Sequence, residues 1–264
     1  MKTWNLLAPY AARAAAIAFL LPTLLLSAPL ADAADKRRIK ILAAIAVEPA
    51  FPEIKPMIPA AAGVDIDIEF AMSPTVVDRL NEGEMADLVI LTKEGMAGMA
   101  RAGEVGPATD LVSSDVGIAV ADEAPLPTIN TAADLVAFLK ATPSIAYSKR
   151  GASGAHFAKL IEQLGVADIV KPKAVVIDEG LTAARLLKGE VAAAVQQVAE
   201  LRFAGARKIV FLPEELQSHA VYTVAPLTRS SRSSEQAAVI RALTSKPAAE
   251  AFERSGVHPI FEPK

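Results

Sequence analysis

Ile39-Lys40-Ile41-Leu42-Ala43-Ala44-Ile45-Ala46 is a nearly continuous apolar run whose only charge lies near its start. Such a run suits a strand buried on both faces of a parallel sheet. A helical stretch over about 48–62 follows, with Phe51, Ile54, Met57 and Ile58 at helical spacing and prolines at 52, 56 and 59 that interrupt it. From Val64 to Phe70 apolar residues alternate with Asp65, Asp67 and Glu69, which reads as a strand. Ser73 is then suited to an N-cap and Pro74 to the first helical position. Asp87 to Leu91 is a further buried strand. The order β-α-β-α-β is complete by residue 91 and specifies a mainly parallel sheet with helices on its faces.

The theme repeats downstream. Strands are expected at 117–121, 144–147, 174–177, 191–195 and 208–212, and helices after Thr131, from about 155 and from Leu181. Residues 220–226 read as a strand that returns the chain, and helices at 234–244 and 247–255 close it. The fold class is therefore α/β, with two tandem lobes and a ligand cleft between them. Lobe 1 is expected to comprise 37–118 plus 219–264, and lobe 2 to comprise 119–218.

The first 33 residues read as an address. Lys2 and Arg13 precede an apolar run from Ala14 to Leu26, and Ala31-Asp32-Ala33 supplies the small-x-small pattern of a cleavage site. A cleaved signal peptide (1–33) and a periplasmic location follow as expectations. The 264 residues include no cysteine, so disulfides, thiol nucleophiles and Cys-based metal sites are excluded. The formal net charge of −3 shows no basic excess of the kind nucleic-acid binding needs. The three histidines, at 156, 219 and 258, form no metal-binding spacing, so no metal and no cofactor are expected.

Ligands of open parallel sheets sit outside the carboxyl ends of the strands, where helix N-termini present free N–H donors. Three junctions qualify: Met72-Ser73-Pro74-Thr75, the loop Ser148 to Gly154, and Asp178-Glu179-Gly180-Leu181-Thr182. Ser73, Ser153, Gly154, Gly180 and Thr182 are thus candidate contacts, and Arg150 offers a bidentate contact to a carboxylate or oxyanion. The loop 148–154 lacks the Gly-Lys-Ser/Thr ending of a P-loop, and no G-x-S-x-G surrounds Ser73. No set of acid, base and nucleophile is recognisable, so the chain is read as a binding protein and not an enzyme.

Several runs resemble the periplasmic solute-binding proteins of ABC importers with the type II fold, and within them the molybdate-binding group. They are Ile39–Ala46, Ser73, Asn81-Glu82-Gly83-Glu84-Met85-Ala86-Asp87-Leu88-Val89-Ile90, Gly151-Ala152-Ser153-Gly154-Ala155-His156-Phe157 and Lys188-Gly189-Glu190-Val191-Ala192-Ala193-Ala194. The closing segment with Ala248, Phe252 and Gly256-Val257-His258-Pro259 matches as well. The resemblance implies cleft closure around a small anion and delivery to ABC permease subunits by a monomer. It places Val47 after the first strand and Gln197 after the strand following Gly189 among the ligand contacts. The family's hydroxyl after the first strand is missing from Ala43–Val47, and Gln197 stands where a Tyr is usual. An organic carboxylate therefore competes with molybdate or tungstate as the ligand. A periplasmic sensing subunit for a signalling receptor is the alternative role.

Overall fold

The computed structural model describes residues 38–263, so the expected signal peptide lies outside the described residues. Two sheets organise the chain. The first holds β1 (Arg38–Ala44), β2 (Asp65–Ala71), β3 (Leu88–Thr92), β4 (Thr109–Ser114), β10 (Ala220–Pro226) and β11 (His258–Pro259), in the order β11-β4-β10-β3-β1-β2. The second holds β5 (Val116–Val120), β6 (Ile145–Ser148), β7 (Ala174–Ile177), β8 (Ala193–Gln197) and β9 (Lys208–Phe211), in the order β7-β6-β8-β5-β9.

Parallel pairing holds for β2-β1-β3 and for β7-β6-β8, and the remaining strands pair antiparallel. The sheets are thus mixed, because β5 and β10 are the strands by which the chain changes sheet. Val116 already pairs with Gln197 in the second sheet, so the first crossing falls at Asp115, ahead of the expected boundary at 118. β4 escapes the sequence pattern: Thr109 to Ser114 holds only two apolar residues, and its place between β10 and β11 is fixed by pairing.

Strand β1 stops at Ala44, where Pro49 and its neighbours turn the chain into short helical segments running from Ile45 to Ala62. Pro52, Pro56 and Pro59 each fall in the opening turn of such a segment, where a missing N–H costs nothing. Gly63, at φ 70°, ends the run in the left-handed region.

The longer helices cover the sheet faces: α1 (Ser73–Asn81), α2 (Lys93–Arg101), α3 (Ala132–Ala141), α4 (Ala152–Gln163), α5 (Ala183–Leu187), α6 (Val198–Phe203), α7 (Ser233–Leu243) and α8 (Lys246–Ser255). Thr131 and Asp134 form a reciprocal capping box at the start of α3. Each sheet carries its own apolar core. Ile39, Ile41, Ile90 and Phe252 belong to the first, and Ile118, Ile145, Phe157 and Val195 to the second.

The two crossings are tied together. Val116 N–H donates to Gln217 Oε1 at 2.8 Å, and Gln217 Nε2 returns a bond to the Val116 carbonyl at 3.1 Å. His219 Nδ1 lies 2.7 Å from Asp115 Oδ1, and His258 Nε2 lies 3.8 Å from Asp115 Oδ2. The Asp115 contact, followed by that of Glu214, holds the His219 imidazole above its ordinary titration range.

The wall of the second lobe depends on one glycine. A Cβ at Gly154 would stand 1.8 Å from the Ser148 carbonyl oxygen, so α4 meets the end of β6 only because that atom is absent. Gly154→Ala is expected to destabilise the fold by about 3 kcal/mol, since backbone must move to admit the methyl. Chemical denaturation of the two proteins checks this, and equal midpoints would contradict it.

Candidate functional site

The carboxyl ends of β1, β2, β3, β6 and β8 meet at one narrow cleft between the sheets, with a cavity volume of about 30 Å³. Its first-lobe wall is the turn Ala44–Ala46 together with Met72, Ser73 and Thr92. Its second-lobe wall is Ser148, the N-terminus of α4 at Gly151–Ser153, and Gln196, Gln197 and Glu200. Tyr222 of β10 also lines it.

Ser73, Ser153 and Gln197 are thus brought together as the sequence implied, but not all in the expected roles. Met72 is the N-cap of α1, and Ser73 is its first helical residue, with Oγ accepting from Thr92 N–H at 3.0 Å. That bond fastens α1 to the end of β3. The Gln197 amide is oriented so that its nitrogen donates to the carbonyls of Asp115 at 3.0 Å and Ser114 at 3.1 Å. Its donor group therefore serves the crossing while its side chain lines the cleft.

Five other candidates stand outside the lining. Val47 is fully buried in the first core, because the helical turn after β1 rotates it inward. Arg150 is half-exposed and donates from Nη2 to Asp78 Oδ2 of α1 at 2.7 Å, a link from lobe to lobe. A second such link joins Thr75 and Glu179. Gly154 packs on Ser148, as described above. Gly180 supplies a turn at φ 87°. Thr182 is completely buried, with its N–H and hydroxyl each 2.8 Å from Gln196 Oε1.

Sequence reasoning missed Glu200 and Tyr222. Glu200 is only 5% exposed and sits in the first turn of α6. Burial pushes its carboxyl up to about 8; Gln196 and the Gln197 backbone oppose this, and Glu48 adds to it. Tyr222 is also buried, and desolvation followed by the proximity of Glu200 raises its phenol well above the ordinary range. The signal for Glu200 was present: it is the single charged residue between Val191 and Leu201. Tyr222 carries no such mark, since an aromatic residue in a buried strand reads as core.

The cleft is chemically distinctive. No cation lines it, and its donors are neutral. Among the described residues, the largely buried hydroxyls of Ser148, Ser153 and Tyr222 have no protein hydrogen-bond partner. Buried polar groups are normally paired, so unspent donors facing a cavity mark a place for a ligand. An outer chamber of about 350 Å³ shares Thr92 and Ala152 with the cleft. It is lined by Arg150, Lys159, His156 and His219, with Glu94 as its only acidic residue. Among the described residues Lys159 forms no ion pair, and no group of acidic and histidine side chains is arranged to hold a metal.

Two α/β lobes that bring strand ends, a helix N-terminus and unspent donors to one interlobe cleft define a solute-binding protein. The chain belongs to the bacterial extracellular solute-binding protein family, whose model matches residues 39–258. It is 28% identical over 246 residues to the aconitate isomerase of a Pseudomonas species, covering 90% of this chain and 94% of that one. The periplasmic molybdate-binding protein of Azotobacter vinelandii shares the fold, with a TM-score of 0.71 and 12% identity over 86% of this chain and all of that one. PEB3 of Campylobacter jejuni, in a structure with bound L-phospholactate, aligns with a TM-score of 0.64 and 14% identity, covering 83% of this chain and 99% of that one. Among the described residues no helix is long and apolar enough to cross a membrane.

Glu200 carries a stability signature. Its native value of about 8 exceeds the ordinary 4.5, so between these limits the folded state binds more protons than the unfolded state. Stability from this group therefore falls as pH rises from about 4.5 to 8 and is flat outside that window. Glu200→Gln should cancel the slope, so that the melting temperature of the variant gains on the wild type between pH 5 and pH 8. A constant difference across that range would show an ordinary carboxyl.

Proposed function

We propose that this protein is the periplasmic receptor of an ABC importer and captures a small organic polycarboxylate by closure of its two lobes, without turning it over. The observation that carries this reading is the pairing of a neutral inner cleft with a cationic outer chamber. One carboxylate fits the hydroxyl and helix N-terminal donors of the cleft, and a second extends past Thr92 and Ala152 toward Lys159 and Arg150. A compact tetrahedral oxyanion would use the cleft and leave the chamber idle. The departure from the molybdate pattern after β1 and the likeness to a protein acting on a tricarboxylate support the same choice. Closure demands that a ligand bind the closed state better than the open one. Contacts from Ser73 and Tyr222 on one sheet and Ser148 and Ser153 on the other supply that difference.

Calorimetric titration and thermal shift with propane-1,2,3-tricarboxylate, succinate, molybdate, tungstate and sulfate test the proposal. The mature chain has no tryptophan if residues 1–33 are removed, so an extrinsic dye is required. At 100 times its dissociation constant a ligand adds about 2.7 kcal/mol of stability, a shift of several degrees. Stabilisation by the carboxylates is the expected outcome, and stabilisation by molybdate and tungstate alone would return the protein to the oxyanion class. Arg150→Ala and Lys159→Ala should each weaken tricarboxylate binding about tenfold, near 1.4 kcal/mol, and leave single-carboxylate binding unchanged.

A second reading is favoured by Glu200. Moving a double bond within an unsaturated tricarboxylate needs a group that takes a proton from one carbon and returns it to another. A buried carboxyl with a value near 8 suits that task. Incubation with cis- or trans-propene-1,2,3-tricarboxylate, followed by proton NMR, separates the readings: interconversion establishes an isomerase, and unchanged spectra leave a receptor.

A further inference from the structure

The cleft contains a carboxyl whose surroundings do not fit a fixed negative charge. Five elements bear on Glu200. The helical turns after β1 contribute Glu48, which is itself shifted upward by burial, and β10 contributes Tyr222. Strands β5 and β8, on which α6 packs, contain no charged residue, and the only charged residue of β9, Lys208, donates its ammonium to the Ala124 carbonyl. No cation balances an ionised Glu200, and an entering anion would add a second negative charge beside it.

The hydrogen bonds beside Glu200 limit what can accept its acid proton. Gln196 Oε1 already accepts from Thr182 N–H at 2.8 Å, from the Thr182 hydroxyl at 2.8 Å and from Ala183 N–H at 3.4 Å. With its oxygen so engaged, Gln196 has only its NH₂ left to offer, and the Gln196 side chain and the Gln197 backbone both act on Glu200 to favour the ionised form. Both amides are donors, so they serve the carboxyl oxygens as acceptors and offer nothing to an O–H; Tyr222, whose hydroxyl can accept, shares the cleft lining with Glu200. Glu200 lines the cleft, so its O–H is placed to meet an acceptor there.

We propose that Glu200 is the specificity-determining acid of the cleft: it donates its O–H to an oxygen of the bound carboxylate, so that anion capture above neutral pH takes up a proton from solution. The proposal deepens the receptor reading and rests on it. The cleft then meets a carboxylate with an acid–carboxylate hydrogen bond, a short and charge-assisted contact, in place of a salt bridge. It also accounts for a buried ionisable residue in a site whose remaining donors are hydroxyls and amides.

The test is calorimetric titration with propane-1,2,3-tricarboxylate, a saturated probe that cannot be isomerised. Titrations at about pH 6 and pH 9, in buffers of different ionisation enthalpy, count the protons exchanged. The wild type should take up close to one more proton per anion at pH 9 than Glu200→Gln, and its affinity should fall about tenfold per pH unit above 8. Glu200→Gln keeps a donor in place and should bind with that excess uptake gone and with little pH dependence in the alkaline range. Exchange by His156 and His219 of the outer chamber, and by the probe itself, survives in the variant and cancels in the comparison.

Isotope-edited carbon NMR of the wild-type Glu carboxyl provides a measurement free of any mutation. It should show one carboxyl protonated in the complex at pH 9 and ionised in the free protein. Equal proton uptake by the two proteins, or an ionised Glu200 in the complex, would overturn the proposal and leave the receptor reading intact. Failure of every carboxylate to bind would remove both.

Discussion

Both connections between the sheets pass through one hydrogen-bonded patch around Asp115, and the cleft depends on it. The Asp115 carbonyl accepts from Val198 N–H at 2.8 Å and from the Gln197 amide, so the end of β8 and the start of α6 are fastened to the crossing itself. Gln217 clamps Val116 from the second crossing, and two histidines converge on the Asp115 carboxylate. Residues 196 to 200 supply the floor of the cleft. The crossing between the sheets is therefore bonded to the segment that lines the cleft.

The charges are sorted by depth. Lys40, Arg79, Glu69 and Glu84 form a network on the outside of the first lobe, where Arg79 and then Lys40 hold the Glu84 carboxyl at about 2. Arg150 and Asp78 bridge the lobes at an exposed edge, where an ion pair contributes at most about 1 kcal/mol. A link of that strength is easily broken, which suits a cleft that has to open. Among the described residues, the buried interior holds one carboxyl, Glu200, and no cation. Cations thus line the outer chamber, and hydroxyls, amides and one carboxyl line the cleft.

Much of this was legible along the chain. Burial on both faces of β1 and β3 shows directly as continuous apolar runs, and Thr131-x-x-Asp134 announces its capping box because the partners are three residues apart. The junctions at Ser73 and Ser148–Ser153 were legible as site walls because strand ends and helix starts gather ligand donors. The pairing of Arg150 was not legible, because its partner Asp78 lies 72 residues away. The partners of Thr182 were hidden for the same reason, since its hydroxyl bonds to Gln196 and Val195 on a different element. β4 was missed because its sequence is polar and its strand character comes from its neighbours.

The sequence alone determined the α/β class, the order of its parallel units and the family, since each is written in local periodicity or in short motifs. Only the tertiary structure decided which polar groups are spent and which remain for a ligand. It committed Gln197 and Thr182 to the frame, left Ser148, Ser153 and Tyr222 unpaired, and placed Glu200 nearly buried at the cleft. The physical reason is that hydrogen-bond satisfaction and desolvation are set by neighbours in space, and those neighbours come from strands and helices far apart in the chain.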